Sequence, residues 1–278
     1  MVGESWTDQV LSIHPASGEC ATHKDAFLTP DESRRPPPLD LRSALFLDVD
    51  GTLLEIASRP ELVHVPRELP ALIARLSEQR QGALALISGR PLAQLDRLFK
   101  PWRGGAAGVH GVERRRADGT LDRVHDSAGE SALDRIRPKL AALAAGGSGL
   151  IVEDKGATLA LHYRAVPDRE PEIRASAEVL LRETGAALRL IRGKRVVEFQ
   201  PRNANKGSAI AAFLAEPPFV GRRPVFVGDD ATDEDGFVEV HNRSGISIRV
   251  GPPCETAADY NLPSVEAVIT WLTKTVLP

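Results

Sequence analysis

The chain is poor in cysteine, methionine and aromatic residues: its 278 residues include two Cys, one Met and an aromatic fraction of 5%. Cys20 and Cys254 are far apart and show no metal-type pairing, so the sequence implies no disulfide framework. No apolar run approaches the roughly 20 residues needed to cross a bilayer. The first residues combine neither a basic start nor a long apolar segment, so we expect no secretory signal and a cytoplasmic location.

A strong charge of either sign is also absent. The formal net charge is −3, with 42% hydrophobic and 26% charged residues, as in an ordinary soluble globular protein. This balance gives no reason to expect nucleic acid or an anionic membrane as a partner. The densest basic run, Arg114-Arg115-Arg116, is interpreted as a solvated edge or loop. We therefore expect neither kind of partner. The sequence leaves the oligomeric state open, and a monomer is favoured.

The chain does contain a regular alternation of apolar strands and amphipathic helices. Residues 1–41 stand outside it, lack periodicity and are interpreted as an N-terminal tail. Continuous apolar strands separated by helices predict an α/β fold, with a Rossmann-like parallel sheet covered on both faces. The predicted strands of this sheet span 44–49, 83–87, 106–109, 224–227 and 246–250. The predicted helices lie near 67–80, 91–99 and 207–215, and a last one follows the N-cap Ser264.

Residues 112–200 show a different pattern, in which strand pairs alternate with helices. Its predicted helices and hairpin turns lie at 130–145, 169–184, 154–156 and 192–194. Hairpins joined by helices are typical of an antiparallel sheet with helices on one face. We therefore predict a core domain made of residues 42–111 and 201–278, split by an inserted α+β cap domain of residues 112–200.

Two carboxylates two residues apart come directly after the first apolar strand. Asp48 and Asp50 lie where this strand gives way to a turn at Gly51. Carboxylates are costly at the end of an apolar strand unless a cation, a phosphate or both bind there. A plain strand ending in an Asp-Gly turn is the structural alternative, and this motif alone does not decide between the two.

Three further polar motifs lie where the first one predicts partners. Ser88-Gly89 ends the second strand, Asp229-Asp230 follows the strand at 224–227, and Lys206 lies at the start of a helix. Ligands of open parallel sheets bind outside the carboxyl ends of the strands, and helix N-termini receive anions. Each motif alone also suits a turn, a helix cap or an exposed lysine, but the four together favour a catalytic site.

These four motifs resemble, in order and context, the signature motifs of haloacid dehalogenase (HAD) superfamily phosphatases. A finer resemblance, to trehalose-6-phosphate phosphatases, covers residues 43–275. It rests on the segments 86–91, 108–113, 153–156, 162–164, 193–198 and 205–207. The resemblance implies a HAD-type core with a cap of the C2B type between the second and third motifs. One departure is Gln200, since the family more usually has a basic residue before this proline.

The residue types at the motifs suit phosphate-ester hydrolysis. Asp48, the first acid, is the predicted nucleophile, and it would form an aspartyl-phosphate that water later hydrolyses. The resemblance implies the same role. Asp50 is the predicted acid and base, because a leaving sugar alkoxide needs a proton and the attacking water must lose one.

The same cluster predicts a Mg²⁺ site and a phosphate cradle. Mg²⁺ prefers a few oxygen ligands plus waters, which suits Asp48, the backbone carbonyl of Asp50, and Asp229. Asp230 is left open between a ligand and a supporting acid, whereas Asp233 is interpreted as a helix cap or a support for the lysine. The predicted phosphate-binding residues are Ser88, Gly89 and Lys206.

Sugar recognition is expected from the cap, because all phosphate monoesters look alike at phosphorus. Charged side chains in a closed interface can hydrogen-bond the many hydroxyls of a disaccharide. The resemblance implies a set of substrate-binding residues: Arg90, His110, Glu153, Lys155, Lys194 and Glu198. His162 and Arg164 suit either a sugar contact or an ordinary solvated hairpin.

The predicted function is a Mg²⁺-dependent phosphatase that converts trehalose 6-phosphate to trehalose, so its partner is a small sugar phosphate. A sucrose-phosphate or other sugar-phosphate phosphatase is the alternative within the same chemistry. A phosphorylation-dependent signalling receiver also combines aspartates, Mg²⁺, Ser or Thr, and Lys in a parallel sheet. The second acid of the Asp-x-Asp-Gly-Thr turn and the inserted cap oppose that interpretation. A non-catalytic binding protein is hard to reconcile with candidates for every role.

Overall fold

Two β-sheets organise the chain in the computed structural model, which describes residues 35–57, 62–123, 127–193 and 195–276. Strands β1–β12 lie at Ala44–Leu47, Leu84–Ile87, Gly105–Gly108, Glu113–Arg115, Leu121–Arg123, Ile151–Asp154, Leu159–His162, Leu188–Gly193, Val196–Pro201, Pro224–Gly228, Ile246–Val250 and Tyr260–Leu262. Helices α1–α7 lie at Leu69–Gln79, Leu92–Leu98, Ser127–Ala144, Glu170–Glu183, Lys206–Leu214, Glu234–Asn242 and Val265–Lys274. Over the described ranges, none of these helices has the length and apolar character of a membrane span.

The larger sheet has the strand order β12-β11-β10-β1-β2-β3-β4-β5, which places β1 between β10 and β2. The strands from β12 to β3 are parallel, and β4 and β5 add to them as an antiparallel hairpin. The predicted α/β class with a parallel sheet at its core is therefore confirmed. The predicted N-cap of the last helix is also present, since the Ser264 hydroxyl accepts the Ala267 N–H at 3.2 Å.

Alternate side chains of β1 enter two apolar layers, one on each face of the larger sheet. Leu45 and Leu47 belong to the layer that includes Leu76 of α1, whereas Ala44 and Phe46 belong to the layer that includes Phe213 of α5. All four β1 side chains are fully buried. A strand covered on both faces needs apolar residues at every position, which explains its continuous apolar run.

The β4–β5 hairpin and the short strand β12 were not predicted from the sequence. The hairpin carries the basic run 114–116 and hydrogen-bonds to β3, so the larger sheet extends past the boundary predicted at residue 112. The interpretation of this run as solvated is wrong for Arg115, which is buried and donates to Asp96 Oδ1 at 2.6 Å. A buried arginine is tolerated where a carboxylate pairs with it, and such a strand lacks apolar alternation.

The second sheet is antiparallel, with the strand order β6-β7-β9-β8, and is built from residues 151–201. Helices α3 and α4 cover one face, where Leu159, Val197 and Phe199 enter their apolar layer. We call this sheet with α3 and α4 the cap, and the larger sheet with its helices the core. The elements of the cap lie in the chain between β5 and β10 of the core.

The opposite face of the cap sheet is polar. Glu153, Ala160 and Glu198 are directly paired across β6, β7 and β9, so their side chains share one face. Each alternates along its strand with residues of the apolar layer, and therefore this row points away from α3 and α4. Arg189 of β8 pairs with Gln200 of β9 on the same face. The cap thus presents charged and amide side chains on its helix-free face.

Residues 1–34 of the predicted tail lie outside the described residues. Within the described part of the tail, the Pro37 carbonyl accepts a hydrogen bond from Trp271 Nε1 of α7 at 3.1 Å.

Candidate active site

Three strand ends meet at one edge of the larger sheet. Asp48 follows β1, Ser88 follows β2, and Asp229 follows β10. Because β1 lies between β10 and β2 and all three are parallel, their carboxyl ends are adjacent. The Asp48 N–H donates to Val227 O at 2.9 Å, which fixes the nucleophile candidate against the end of β10.

Lys206 reaches this edge from the first turn of α5. The helix start is fixed by a capping box, in which Asn205 Oδ1 accepts the Ser208 N–H at 2.7 Å and Ser208 Oγ accepts the Asn205 N–H at 3.0 Å. The lysine is buried, and its Nζ donates to Asp48 Oδ1 at 2.8 Å and to Asp233 Oδ1 at 2.6 Å. The predicted nucleophile and the predicted phosphate-binding lysine are thus in direct contact.

Asp233 connects Lys206 to the backbone that follows β10. Its Oδ2 accepts the backbone N–H groups of Asp229 at 3.1 Å and Asp230 at 3.0 Å, while its Oδ1 accepts from Lys206. Both carboxylate oxygens are therefore in use, which matches a residue that orients the lysine better than a metal ligand. Asp230 caps the short 3₁₀ turn that follows, where its Oδ1 accepts the Ala231 N–H at 2.7 Å.

The cluster holds more negative than positive charge. Burial is the main factor that raises the pKa of Asp48 well above its usual value, and the charges of Asp233 and Asp229 add to it against the opposing effect of Lys206. Burial, followed by the charge of Asp233, raises the pKa of Asp229 to about 7. The pKa of Lys206 is raised despite burial, because Asp233 and Asp48 stabilise its ammonium group.

These residues fit a bound cation. Oxygens of Asp48, Asp229 and Asp233 lie within 4.8 Å of one another, and Asp229 Oδ1 is buried without a hydrogen-bond partner among the described residues. Hard oxygen donors with excess negative charge are what a divalent cation such as Mg²⁺ requires. Gly51 makes room for this donor set, because a Cβ on residue 51 would lie 2.0 Å from Asp229 Oδ2.

Asp50 lies at the outer side of the cluster and pairs with Arg90. The guanidinium Nε donates to Asp50 Oδ2 and its Nη2 to Asp50 Oδ1, both at 2.6 Å. Arg90 Nη1 also donates to Gln94 Oε1 at 3.2 Å. Asp50, the predicted acid–base residue, is thus paired with the guanidinium group of Arg90, the predicted substrate-binding residue.

The Ser88-Gly89 turn is braced by the residues after β3. The His110 N–H donates to Ser88 O at 2.9 Å, and the Val109 N–H donates to Arg90 O at 3.1 Å. Val109 and His110 have φ angles of 48° and 54°, which are uncommon for residues with a side chain and strained for a β-branched one. Gly89 is required here, because a Cβ on it would lie 2.5 Å from His110 Nε2.

Glu198 connects this core loop to the cap. His110 Nε2 lies 3.8 Å from Glu198 Oε2, and Lys155 Nζ lies 3.3 and 3.4 Å from the two carboxylate oxygens. Thr158 Oγ1 donates to Glu198 Oε1 at 2.6 Å. Burial lowers the pKa of His110 to about 3, so its imidazole is neutral at pH 7. Burial alone would raise the pKa of Glu198, but the charge of Lys155 and the hydrogen bonds from Thr158 and Lys155 hold it below its usual value.

The remaining predicted sugar-binding residues are less closely gathered. Glu153 lies in the same cross-strand row as Glu198, but its Oε2 contacts His162 Nε2 at 3.0 Å near the solvent-exposed edge of the cap. The hydrogen bond with His162 is the main factor that lowers the pKa of Glu153. Arg164 is exposed. Lys194 lies outside the described residues.

The chain that carries this site matches a known protein family. The sequence model of the family named trehalose-phosphatase matches residues 46–266. The chain belongs to the trehalose-phosphatase family. A probable trehalose-phosphate phosphatase of Sinorhizobium fredii is 47% identical over 226 residues, which cover 81% of this chain and 84% of that relative. The trehalose-6-phosphate phosphatase of Escherichia coli is 42% identical over 236 residues, covering 85% and 87%.

A solved structure agrees with this assignment. The crystal structure of a trehalose-6-phosphate phosphatase related protein matches with a TM-score of 0.67 and 27% identity, over 83% of this chain and 95% of that one. The resemblance inferred from the sequence motifs is therefore confirmed, and this member of the trehalose-phosphatase family is a phosphatase.

Several residues of the site were not found from the sequence. Thr158 and Gln94 support Glu198 and Arg90, and Arg189 of the cap pairs with Asp235 of the core. Thr158 and Arg189 reach their partners across 40 and 46 sequence positions, whereas Gln94 lies one helical turn from Arg90. The alternation of Thr158 with Leu159 in a strand was the one available signal, since it places the hydroxyl on the face away from the helices.

Proposed function

We propose that the protein hydrolyses trehalose 6-phosphate to trehalose and phosphate, with Mg²⁺ and through an aspartyl-phosphate on Asp48. The names of the Sinorhizobium and Escherichia relatives support the substrate. The observation that carries the chemistry is the cluster of Asp48, Lys206 and Asp229. In it, the candidate nucleophile, a buried lysine and one carboxylate oxygen without a hydrogen-bond partner among the described residues lie together.

Asp48 attacks the phosphorus in this proposal. Its buried carboxylate is oriented by Lys206, whose ammonium group also binds a phosphate oxygen as the phosphoryl group transfers. Ser88 and Gly89 complete the cradle on the other side, at the end of β2. Mg²⁺ held by Asp48, Asp229 and the backbone carbonyl of Asp50 would neutralise the negative charge that gathers on the phosphate oxygens.

Asp50 handles the protons. It gives a proton to the leaving sugar oxygen, and it then takes one from the water that hydrolyses the aspartyl-phosphate. Its side chain is 36% exposed, compared with 5% for Asp48, so it lies on the side open to the leaving group. Arg90 binds both carboxylate oxygens of Asp50, which positions the ionised form that accepts a proton from water. For Asp50 to carry the proton that it gives to the leaving sugar oxygen, the guanidinium must release one of these oxygens when the substrate binds.

The cap recognises the sugar in this proposal. Glu198, Lys155 and Glu153 lie on or next to the polar face of its sheet, and Glu198 approaches His110 of the core loop. Carboxylates and an ammonium group in a partly closed site can hydrogen-bond sugar hydroxyls while the core binds the phosphate. Lys194 belongs to the same proposed set on the strength of the sequence resemblance.

The substrate is tested with purified full-length protein in Mg²⁺ buffer. Phosphate release is measured with trehalose 6-phosphate, sucrose 6-phosphate and glucose 6-phosphate, and we expect the highest kcat/KM for trehalose 6-phosphate. Equal turnover of trehalose 6-phosphate and glucose 6-phosphate would contradict the proposed substrate. A preference for sucrose 6-phosphate would move the assignment to the other disaccharide.

The covalent step is tested by rapid acid quench during turnover. We expect a phosphoryl adduct, detected by mass spectrometry, on the peptide that contains Asp48. Asp48→Asn should lower kcat by at least about a thousandfold on every substrate, because the amide cannot form the acyl phosphate. Asp118→Asn, an exposed turn residue of the β4–β5 hairpin, is the matched control and should keep wild-type activity. An adduct elsewhere, or substantial turnover by D48N, would overturn the mechanism.

A further inference from the structure

Thr158 directly precedes β7 and lies within hydrogen-bond distance of the Glu198 carboxylate. It is fully buried, and its Oγ1 donates to Glu198 Oε1 at 2.6 Å. This is the shortest contact to Glu198 among the described residues, since Lys155 Nζ lies 3.3 Å or more from both oxygens and His110 Nε2 lies 3.8 Å away. The hydroxyl therefore fixes the carboxylate more tightly than the charged neighbours do.

The Thr158 side chain is itself held in place. Its backbone carbonyl accepts the Lys155 N–H at 3.1 Å, which closes the turn between β6 and β7. A β-branched side chain has few accessible χ1 rotamers, so a fixed backbone leaves the hydroxyl little freedom. A short hydrogen bond from a buried, immobile donor restricts rotation of the glutamate, which would otherwise lose more conformational entropy when it binds a ligand.

With Oε1 occupied by Thr158, Oε2 is turned toward the core. The 3.8 Å between Oε2 and His110 Nε2 exceeds a hydrogen-bond distance, so Oε2 keeps acceptor capacity on that side. A sugar hydroxyl can donate to such an oxygen, and a ligand without the second sugar ring has fewer hydroxyls to offer. The orientation of the Glu198 carboxylate therefore affects how strongly the site prefers a disaccharide phosphate to a monosaccharide phosphate.

We propose that Thr158 is a positioning residue that, by orienting Glu198, sets the preference for a disaccharide phosphate over a monosaccharide phosphate. This inference rests on the proposed function. Thr158 itself contacts neither the phosphate nor the reacting carboxylates of the core. It acts on sugar recognition, and so it affects the KM for the disaccharide phosphate more than kcat.

The test compares Thr158→Val, which replaces the hydroxyl by a methyl group of similar size, with Thr158→Ser, which keeps the hydroxyl. The quantity measured is the ratio of kcat/KM for trehalose 6-phosphate to that for glucose 6-phosphate. We expect T158V to lower this ratio about tenfold to a hundredfold, mainly through KM, since a hydrogen bond to a charged group is lost. T158S should stay within about threefold of wild type.

The matched control is Thr184→Val, because Thr184 is also buried in the cap but donates to Leu181 O at 2.6 Å, remote from Glu198. T184V should leave the ratio unchanged. An unchanged ratio in T158V, or equal losses in T158V and T184V, would overturn the positioning role. If T158V does not fold, Thr158→Ala is measured in its place. Failure of both to fold beside a selective T158S would assign the hydroxyl to folding and reject the proposal.

A double-mutant cycle with Glu198→Gln identifies the residue through which Thr158 acts. If the hydroxyl works through the carboxylate, T158V should change the ratio little further in the E198Q background. Losses that multiply independently would refute this coupling. The proposed function fails on a different result, namely a wild-type enzyme that does not prefer the disaccharide phosphate, and that result would refute this inference with it.

Discussion

The core and the cap each contain a buried carboxylate next to a lysine, and the two environments have opposite effects. Asp48 shares Lys206 with Asp233 and lies near Asp229, so negative charge is in excess and its pKa is raised. Glu198 shares Lys155 and Thr158 with no other carboxylate in the described hydrogen bonds, and its pKa is lowered. The Asp48 cluster of the core therefore keeps negative charge that Lys206 does not compensate. The Glu198 carboxylate of the cap is ionised and can accept hydrogen bonds.

The largest expected difference between the two sites is the effect of removing the lysine. Lys206→Met leaves the two buried carboxylates of Asp48 and Asp233 without their common partner. We therefore expect about 3–5 kcal/mol loss in the free energy of unfolding and loss of activity on every substrate. Lys155→Met should cost about 1 kcal/mol or less, because Thr158 still binds Glu198, and should mainly raise KM for the disaccharide phosphate.

Urea unfolding of the metal-free protein and the substrate assay measure both effects. Lys139→Met, an exposed cap lysine paired with Glu183, serves as the control and should behave as wild type. Equal stability losses in K206M and K155M would show that the charge excess of the core is not real.

The second comparison concerns Mg²⁺, which should stabilise the core and leave the cap unaffected. At a concentration a hundredfold above its Kd, a ligand of the native state adds about 2.7 kcal/mol to the free energy of unfolding. We expect this gain in wild type and in Glu198→Gln, and its near loss in Asp229→Asn. Thermal unfolding with EDTA and with graded Mg²⁺ measures it.

The affinity for Mg²⁺ in this titration should depend on pH. The pKa of Asp229 is about 7, so its carboxylate takes up a proton as the pH falls below that value. A protonated acid is a poor ligand, and the Kd for Mg²⁺ should therefore rise by up to about tenfold per pH unit below 7. A pH-independent Kd between pH 5 and 7.5 would contradict the raised pKa.

The smallest expected effect concerns His110, at the contact between the two sites. Its folded-state pKa of about 3 lies below the ordinary value of 6.5, so the unfolded chain binds more protons between these values. The contribution of His110 to the free energy of unfolding is therefore full above pH 6.5 and is lost as the pH falls toward 3. From pH 7 to pH 5 this group alone should cost about 2 kcal/mol.

Urea unfolding at the two pH values tests this effect by difference. His110→Asn does not titrate in this range, and asparagine tolerates the left-handed backbone at this position. Between pH 7 and pH 5, we expect the free energy of unfolding to fall by about 2 kcal/mol less in H110N than in wild type. An equal loss in both proteins would show that His110 does not take part.

The core of the fold was predictable because its strands are apolar throughout and its motifs lie at strand ends. A parallel sheet covered on both faces imposes both features, as β1 and Asp48 illustrate. The β4–β5 hairpin was missed because its arginines give the strands no apolar alternation. Arg114 pairs both with Asp122 within the hairpin and with Glu216, which is 102 residues away. Nothing in the local sequence reveals the pair with Glu216.

The site was predictable as a set of residue types but not as a set of contacts. The gathering of Lys206 and Asp48 at one edge of the sheet was expected from their positions at a helix start and a strand end. The Arg90–Asp50 pair and the Thr158–Glu198 bond depend instead on side-chain geometry across 40 residues in each case. Residues that merely hold a functional group in place carry little sequence signal, because serine, threonine and glutamine are common on any surface.

The two-faced cap sheet has a consequence for how new substrate preferences arise. Positions such as 153, 160, 191 and 198 lie in one cross-strand row on the helix-free face, while the residues beside them along each strand hold the apolar layer. If this row binds the sugar, as proposed, a combinatorial library restricted to it would vary sugar recognition and leave the hydrophobic layer and the phosphate chemistry unchanged. Single substitutions at alternate positions would then be enough to exchange one sugar for another.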